Sequence, residues 1–256
     1  MLNILIKQTV TILVVALSCH AVGGLDVRTR TVVAADHGSG NAVANKRVQV
    51  KTALARHDEK AAELLLQKLK SIKTLKAAVS QEVVINNDSK RVSSGTLQIK
   101  RPDMFIWGVE KPYRQEFIVK NGKSWNIDHG LMQVIIKKQD DGADHTPVQL
   151  LSGNIDVFLK GYNIIFTESH KIRTYSLRPS GDKSLFELLE IRFKWNEKTK
   201  ADELIGFVML DTMGGTSRFD LSKVTINEAI SDATFQAKYS KEYDVIDETV
   251  AIKVVR

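Results

Sequence analysis

Cysteine is all but missing from this 256-residue chain: the single one, Cys19, sits in an apolar N-terminal stretch. Everything after it is free of disulfides, thiol nucleophiles and thiolate metal sites. Charge of one sign is not concentrated either. The formal net charge is +7, but beyond residue 35 the basic and acidic residues are interspersed, with no block of five like charges. Such patterning gives little support to a nucleic-acid surface and leaves only a mild attraction to acidic partners or anionic membranes. Long hydrophobic runs are lacking as well. The longest apolar stretch, Thr9 to Val22, falls short of the ~20 residues that span a bilayer comfortably.

Catalytic and metal-binding patterns are missing in the same way. None of His20, His37, His57, His129, His145 and His170 stands four residues from another, and no H-E-x-x-H occurs. "DDGADH", 140–145, lacks the alternating ligands and closing Glu of a calcium loop and reads as a polar turn. "NGKS", 121–124, ends like a phosphate loop, yet Phe117 stands where its first glycine belongs. It reads instead as a hairpin with a type I′ Asn-Gly turn. "GSG", 38–40, follows no strand, and there is no G-x-S-x-G elbow. Neither enzymatic activity nor a cofactor is expected. Phe105, Trp107, Phe117 and Trp125 could stack nucleobases, but without a basic groove they read better as the core of a sheet.

What is present begins with a leader. Residues 1–23 pair Lys7 with the apolar run Val10–Leu17, the pattern of an export signal. Ala21-Val22-Gly23 and Val33-Ala34-Ala35 both offer cleavage sites, so the signal ends at 23 or as late as 35. Ala16-Leu17-Ser18-Cys19 loosely resembles a lipoprotein acylation site, which leaves a lipid anchor open. Export without disulfides fits a Gram-negative periplasm. Residues 24–56, rich in Gly, Ala, Val, Asn and Arg, read as a flexible lead-in, and 57–256 as a single domain.

From Asp58 the pattern becomes helical. Ala61, Leu64, Leu65, Leu69, Ile72 and Leu75 approach i, i+3, i+4 spacing, Asp58 offers an N-cap, and lysines follow acids along the chain. The spacing predicts one amphipathic helix over 58–75, roughly 27 Å long. Strands follow almost throughout, over 77–86, 91–101, 104–110, 114–121, 123–128, 131–138, 161–168, 171–178, 185–195, 203–211 and 215–225. Turn pairs such as Asn121-Gly122, Ser180-Gly181 and Gly214-Gly215 separate them. "TPVQLLSG", 146–153, suits a short helical turn, and 231–256 a last strand plus tail. The fold class is mainly β with α: a curled, incomplete antiparallel barrel of about eleven strands, with one helix for a cover. A single helix cannot hide so large an apolar face, which leaves room for a guest.

One stretch stands apart, "SGTLQIKRPDMFIWGVEKP", 94–112. Leu97, Ile99 and Arg101 share one face of a strand, and Phe105, Trp107 and Val109 share a face of the next. By residue type alone, Arg101 reads as a strand-end side chain reaching to solvent. The stretch, however, resembles the G-x-L-x-[VI]-K-R-P-x-x-F-x-W run of the LolA family, periplasmic carriers of outer-membrane lipoproteins. Gly95, Leu97, Ile99, Lys100, Arg101, Pro102, Phe105 and Trp107 carry the match. "IVKNGKSWNID", "TPVQLLSG" and "SRFDLSKVTINEAISDATFQ" extend it over roughly 60 to 236.

The resemblance implies an incomplete β-barrel whose helical lid encloses a hydrophobic cavity. It implies a monomeric carrier that takes acylated lipoproteins from an inner-membrane ABC transporter and hands them to an outer-membrane receptor. It casts Arg101, stiffened by Pro102, as a latch on the lid backbone. Leu97, Ile99, Phe105, Trp107, Phe117, Val119, Leu150 and Leu151 become the cavity or its mouth, and Leu64, Leu65, Leu69 and Ile72 the lid helix. An acylated Cys19 would instead make the chain a lipid-anchored receptor or envelope-stress sensor of the same fold.

Overall fold

Asp58 opens the first element by accepting the Ala61 N–H at 2.9 Å, and α1 runs from Glu59 to Ser71 with Glu59 in its first turn and Lys68 and Lys70 in its last. The computed structural model describes residues 58–85, 89–138, 155–181 and 186–249, without the side chains of 156–158. The leader, the lead-in, "DDGADH", "TPVQLLSG", Leu150 and Leu151 lie outside the described residues. All the described residues belong to one compact unit, Arg56–Arg256.

The strands are β1 (Thr74–Ile85), β2 (Ser89–Lys100), β3 (Met104–Lys111), β4 (Gln115–Lys120), β5 (Lys123–Asp128) and β6 (Gln133–Lys138), then α2 (Ile155–Lys160). They continue as β7 (Tyr162–Ser169), β8 (Ile172–Pro179), β9 (Phe186–Asn196), β10 (Ala201–Asp211) and β11 (Thr216–Ile226). A 3-10 turn at Asp232–Phe235 precedes β12 (Asp244–Asp247). All twelve form one sheet in the order β12-β6-β5-β4-β3-β2-β1-β11-β10-β9-β8-β7. The sheet is open, with β12 and β7 at its edges. Asn121 and Gly122 both take positive φ, 51° and 69°, as a type I′ hairpin requires.

Two expectations need correction. The helix predicted to reach 75 stops at Ser71, because Thr74 and Leu75 already belong to β1 and alternate with period two. Thirteen residues make it about 20 Å long. The sheet is also not wholly antiparallel, although its twelfth strand is the last strand expected within 231–256. After β11 the chain crosses the back of the sheet, so β12 arrives beside β6 running parallel to it.

The sheet curls. Trp107 on β3 and Phe219 on β11 are three strands apart, roughly 14 Å on a flat sheet, yet their rings meet edge to face at 5.2 Å between centroids. Two glycines flank the bend. A Cβ on Gly95 of β2 would stand 1.8 Å from the Gly108 carbonyl oxygen, and one on Gly206 of β10 would stand 2.1 Å from that of Phe219. Only backbones without side chains pass this close.

Candidate functional site

Alternation along β1 to β4 gathers the predicted apolar residues on one face. Leu75, Ile99, Phe105 and Val119 are successive cross-strand partners, and so are Ala77, Leu97, Trp107 and Phe117. The row Gln81, Phe219, Phe207, Ile191, Tyr175 and Phe166 continues the same face to the far edge. This is the concave side, and on β1–β4 it is almost entirely carbon near α1. The indole N–H of Trp107 is buried there and finds no acceptor among the described residues. Away from Arg101 the face turns polar: Ser93 donates to buried Gln81 at 3.1 Å, and Gln115 donates to Asp128 at 2.7 Å.

The helix α1 covers this face with Ala61, Leu65 and Leu69, which are all buried. Its exit is held by polar groups. Arg101 donates its Nε–H to the Ile72 carbonyl at 2.9 Å, and its backbone N–H to the Lys73 carbonyl at 2.9 Å. Asn227 brackets the same turn, donating to the Ser71 carbonyl at 2.9 Å and accepting the Lys73 N–H at 2.7 Å. Burial lowers the pKa of the Arg101 guanidinium from its ordinary value to about 10, which still leaves it charged at neutral pH. The Arg101–Pro102 peptide is cis. At the other end of the helix, Asp58 donates its backbone N–H to the Ile164 carbonyl of β7 at 2.9 Å. One turn before the exit, Lys68 reaches Asp202 of β10 at 2.5 Å.

The convex side of β3–β6 has a cover of its own. Residues 227–243 cross it as a strap, burying Ile230 and Phe235 against Ile106, Ile118, Ile127, Val134 and Ile136, with Trp125 and Tyr243 alongside. Lys100 holds the strap by donating to the Ile230 carbonyl at 2.8 Å and to the Asp232 carboxylate at 2.5 Å. Lys120 adds a bond to the Asp232 carbonyl at 2.8 Å, and His129 meets the Tyr243 hydroxyl at 2.7 Å. Lys100 and Arg101 are neighbours in sequence and therefore point to opposite faces. One fastens the strap, the other the exit of α1.

Of the residues named from sequence, Leu97, Ile99, Phe105, Trp107, Phe117 and Val119 come together on the concave face, with Arg101 at its rim. Leu65, Leu69 and Ile72 lie against the sheet, although Ile72 caps the helix rather than belonging to it. Leu64 points outward, 42% exposed, so the apolar stripe is narrower than its spacing suggested. Trp125 lies on the convex side, under the strap. Sequence reasoning assigned nothing to Lys68, Lys100, Asp202 or Asn227. Strand parity could have placed Lys100 opposite Arg101, but the partners of the other three are set by pairing across more than 130 residues.

Comparison with known proteins places this geometry. The family model described as outer membrane lipoprotein carrier protein LolA matches residues 70–238. The outer-membrane lipoprotein carrier protein of Pseudomonas putida (strain W619) is 28% identical over 199 residues, covering 77% of this chain and 91% of that protein. The protein of the same name from Pseudomonas paraeruginosa is 30% identical over 199 residues, with 77% and 93% covered. Both are named as carriers rather than enzymes. A crystal structure of a LolA superfamily protein from Nitrosomonas europaea overlaps loosely, with a TM-score of 0.42 and 11% identity over 69% of this chain and 98% of that one.

Proposed function

The chain belongs to the LolA family of outer membrane lipoprotein carrier proteins, and from that premise we propose that its concave face receives the acyl chains of lipoproteins while α1 serves as a movable lid. The observation that carries this reading is a continuous apolar face under a helix whose exit is held by polar bonds around Arg101. Each methylene taken from water contributes about 0.8 kcal/mol, so a chain of roughly fourteen gains on the order of 10 kcal/mol. The same hydrocarbon replaces Leu65 and Leu69 as cover for the sheet, which gives lid and cargo competing claims on one surface. A carbonyl at the glycerol end of a diacyl group would offer the Trp107 N–H the acceptor it does not find among the described residues.

On this reading the domain spans 57–256, follows a cleaved leader, and works in the periplasm as a monomer. It takes cargo from an inner-membrane ABC transporter and gives it to an outer-membrane receptor, with no covalent chemistry, cofactor or nucleic acid involved. Arg101 is the latch: its planar fork of donors suits carbonyl oxygens in a way a lysine ammonium does not. Pro102 restricts the backbone at the same corner.

The test uses purified protein and a fluorescent peptide bearing a diacylglyceryl cysteine. Saturable binding of that peptide, and none of its unacylated counterpart, is the expected result. Arg101→Leu should favour the open lid, hold the peptide longer and slow its transfer to outer-membrane vesicles. Equal binding of both peptides would overturn the reading. Cys19 supports one rival, a lipid-anchored receptor or sensor of the same fold. Intact mass of the exported protein separates the two, since acylation on Cys19 would add the mass of its lipid.

A further inference from the structure

Lys68 and Asp202 are 134 residues apart in sequence and meet at 2.5 Å. The Asp202 side chain is only 3% exposed, unusual for a carboxylate at the start of a strand. Arg173 of β8 fixes it, with Nη1 3.0 and 3.1 Å from the two carboxylate oxygens. Arg173 is fixed in turn, its guanidinium lying 4.7 Å from the centre of the Trp195 ring and bonded to Glu168 at 3.2 Å. Burial works against its charge, but Asp202 and Glu168 outweigh that and hold its pKa above the ordinary value. The lysine ammonium lies over the Phe193 ring, with Nζ 5.7 Å from its centre. A carboxylate is thus held in advance, and Oδ2, one of the two oxygens that Arg173 contacts, also receives the lysine of the helix.

The position of this contact matters more than its strength. Arg101 and Asn227 hold the exit of α1, where the chain turns directly into β1, so they grip the pivot of any swinging motion. Arg101 follows the end of β2 and Asn227 the end of β11, so this grip belongs to the β1–β2–β11 part of the sheet. Lys68 fastens the helix to the opposite part, β8–β10. We propose that Asp202 is a positioning residue for the lid. It acts through Lys68 as a charge-based clasp, independent of Arg101, and parts before the pivot does when cargo enters. The inference rests on the reading of α1 as a lid. A well-packed apolar pair here would stabilise the closed form as well or better. What an ion pair adds is one permitted geometry, and release once water or salt reaches it.

Amide hydrogen exchange of the cargo-free protein tests this. Lys68→Met keeps the stem and removes the charge. It should speed exchange of the α1 amides about tenfold, the size expected for a charge-assisted hydrogen bond, with β9 amides unchanged. Lys68→Arg should restore the wild-type rate. Salt at roughly 1 M should speed α1 exchange in the wild type and have little further effect in Lys68→Met. Combined with Arg101→Leu, the two accelerations should multiply, because the contacts share no partner. Asp202→Asn provides a second, isosteric route to the same effect. Wild-type α1 exchange in Lys68→Met, or an undiminished salt effect, would overturn the clasp. No cargo enters this measurement. Failure of the acylated peptide to bind would therefore sink the carrier reading alone, and unchanged exchange would sink the clasp alone.

Discussion

The sheet carries two covers, one on each face, and they are attached in different ways. The strap on the convex side is anchored by Phe235, which has no exposure and sits in a closed cluster of isoleucines and a valine. The helix on the concave side buries Leu65 and Leu69 just as completely, but on the proposed reading it lies on a surface that an acyl chain could occupy equally well. Burial alone does not distinguish a permanent cover from a removable one. What distinguishes them is whether anything else can satisfy the covered surface. The polar contacts follow suit: those of α1 gather at its two ends and at Lys68, while those of the strap lie along its length.

The largest expected effect falls on the strap. Phe235→Ala removes a fully buried ring and should cost about 3–5 kcal/mol of stability, read by denaturant unfolding, while affinity for an acylated peptide stays unchanged in the folded fraction. Leu69→Ala should cost about 2–4 kcal/mol in the empty protein and tighten the peptide several-fold, because a weaker lid competes less. Equal affinities in the two variants would erase the distinction between the covers. Lys100→Met, adjacent to the proposed latch, should cost only about 0.5–1 kcal/mol and leave α1 exchange untouched, whereas Arg101→Leu should do the reverse.

The smallest effect is a pH dependence confined to the strap. The hydrogen bond from Lys100 holds Asp232 below its usual 3.8. With the folded value under the unfolded one, the stabilisation is complete above pH 3.8 and fades as the pH falls through the lower folded value. Amides of 232–235 should therefore exchange faster on acidification below that point, an effect that Asp232→Asn removes.

Much of this architecture can be read from residue order. Period-two alternation located eleven strands to within about three residues, and Asn121-Gly122 announced its hairpin, because these signals are local. The shared face of Leu97 and Ile99, and that of Phe105, Trp107 and Val109, were legible for the same reason, while their grouping with Phe117 and Val119 came from the family resemblance. The end of the helix was not, since Ile72 and Leu75 suit either period and the decision comes from Asn227, 156 residues beyond Ser71. The parallel β12 and the Lys68–Asp202 pair depend likewise on how distant segments meet. The outward turn of Leu64 follows from which arc of the helix the sheet selects, and spacing alone does not fix that arc.

Lys100 and Arg101 give β2 a handedness of another kind. Every residue of that strand is committed to one side of the wall, so an insertion or deletion of one residue between Gly95 and Lys100 would be an error of parity rather than of length. The guanidinium would swing toward the strap and the ammonium toward the lid, and Leu97 and Ile99 would face water. Both covers would come loose at once from a change that alters no side chain's identity. Drift in loop lengths is tolerable for this fold, but a change of phase in these six residues is not.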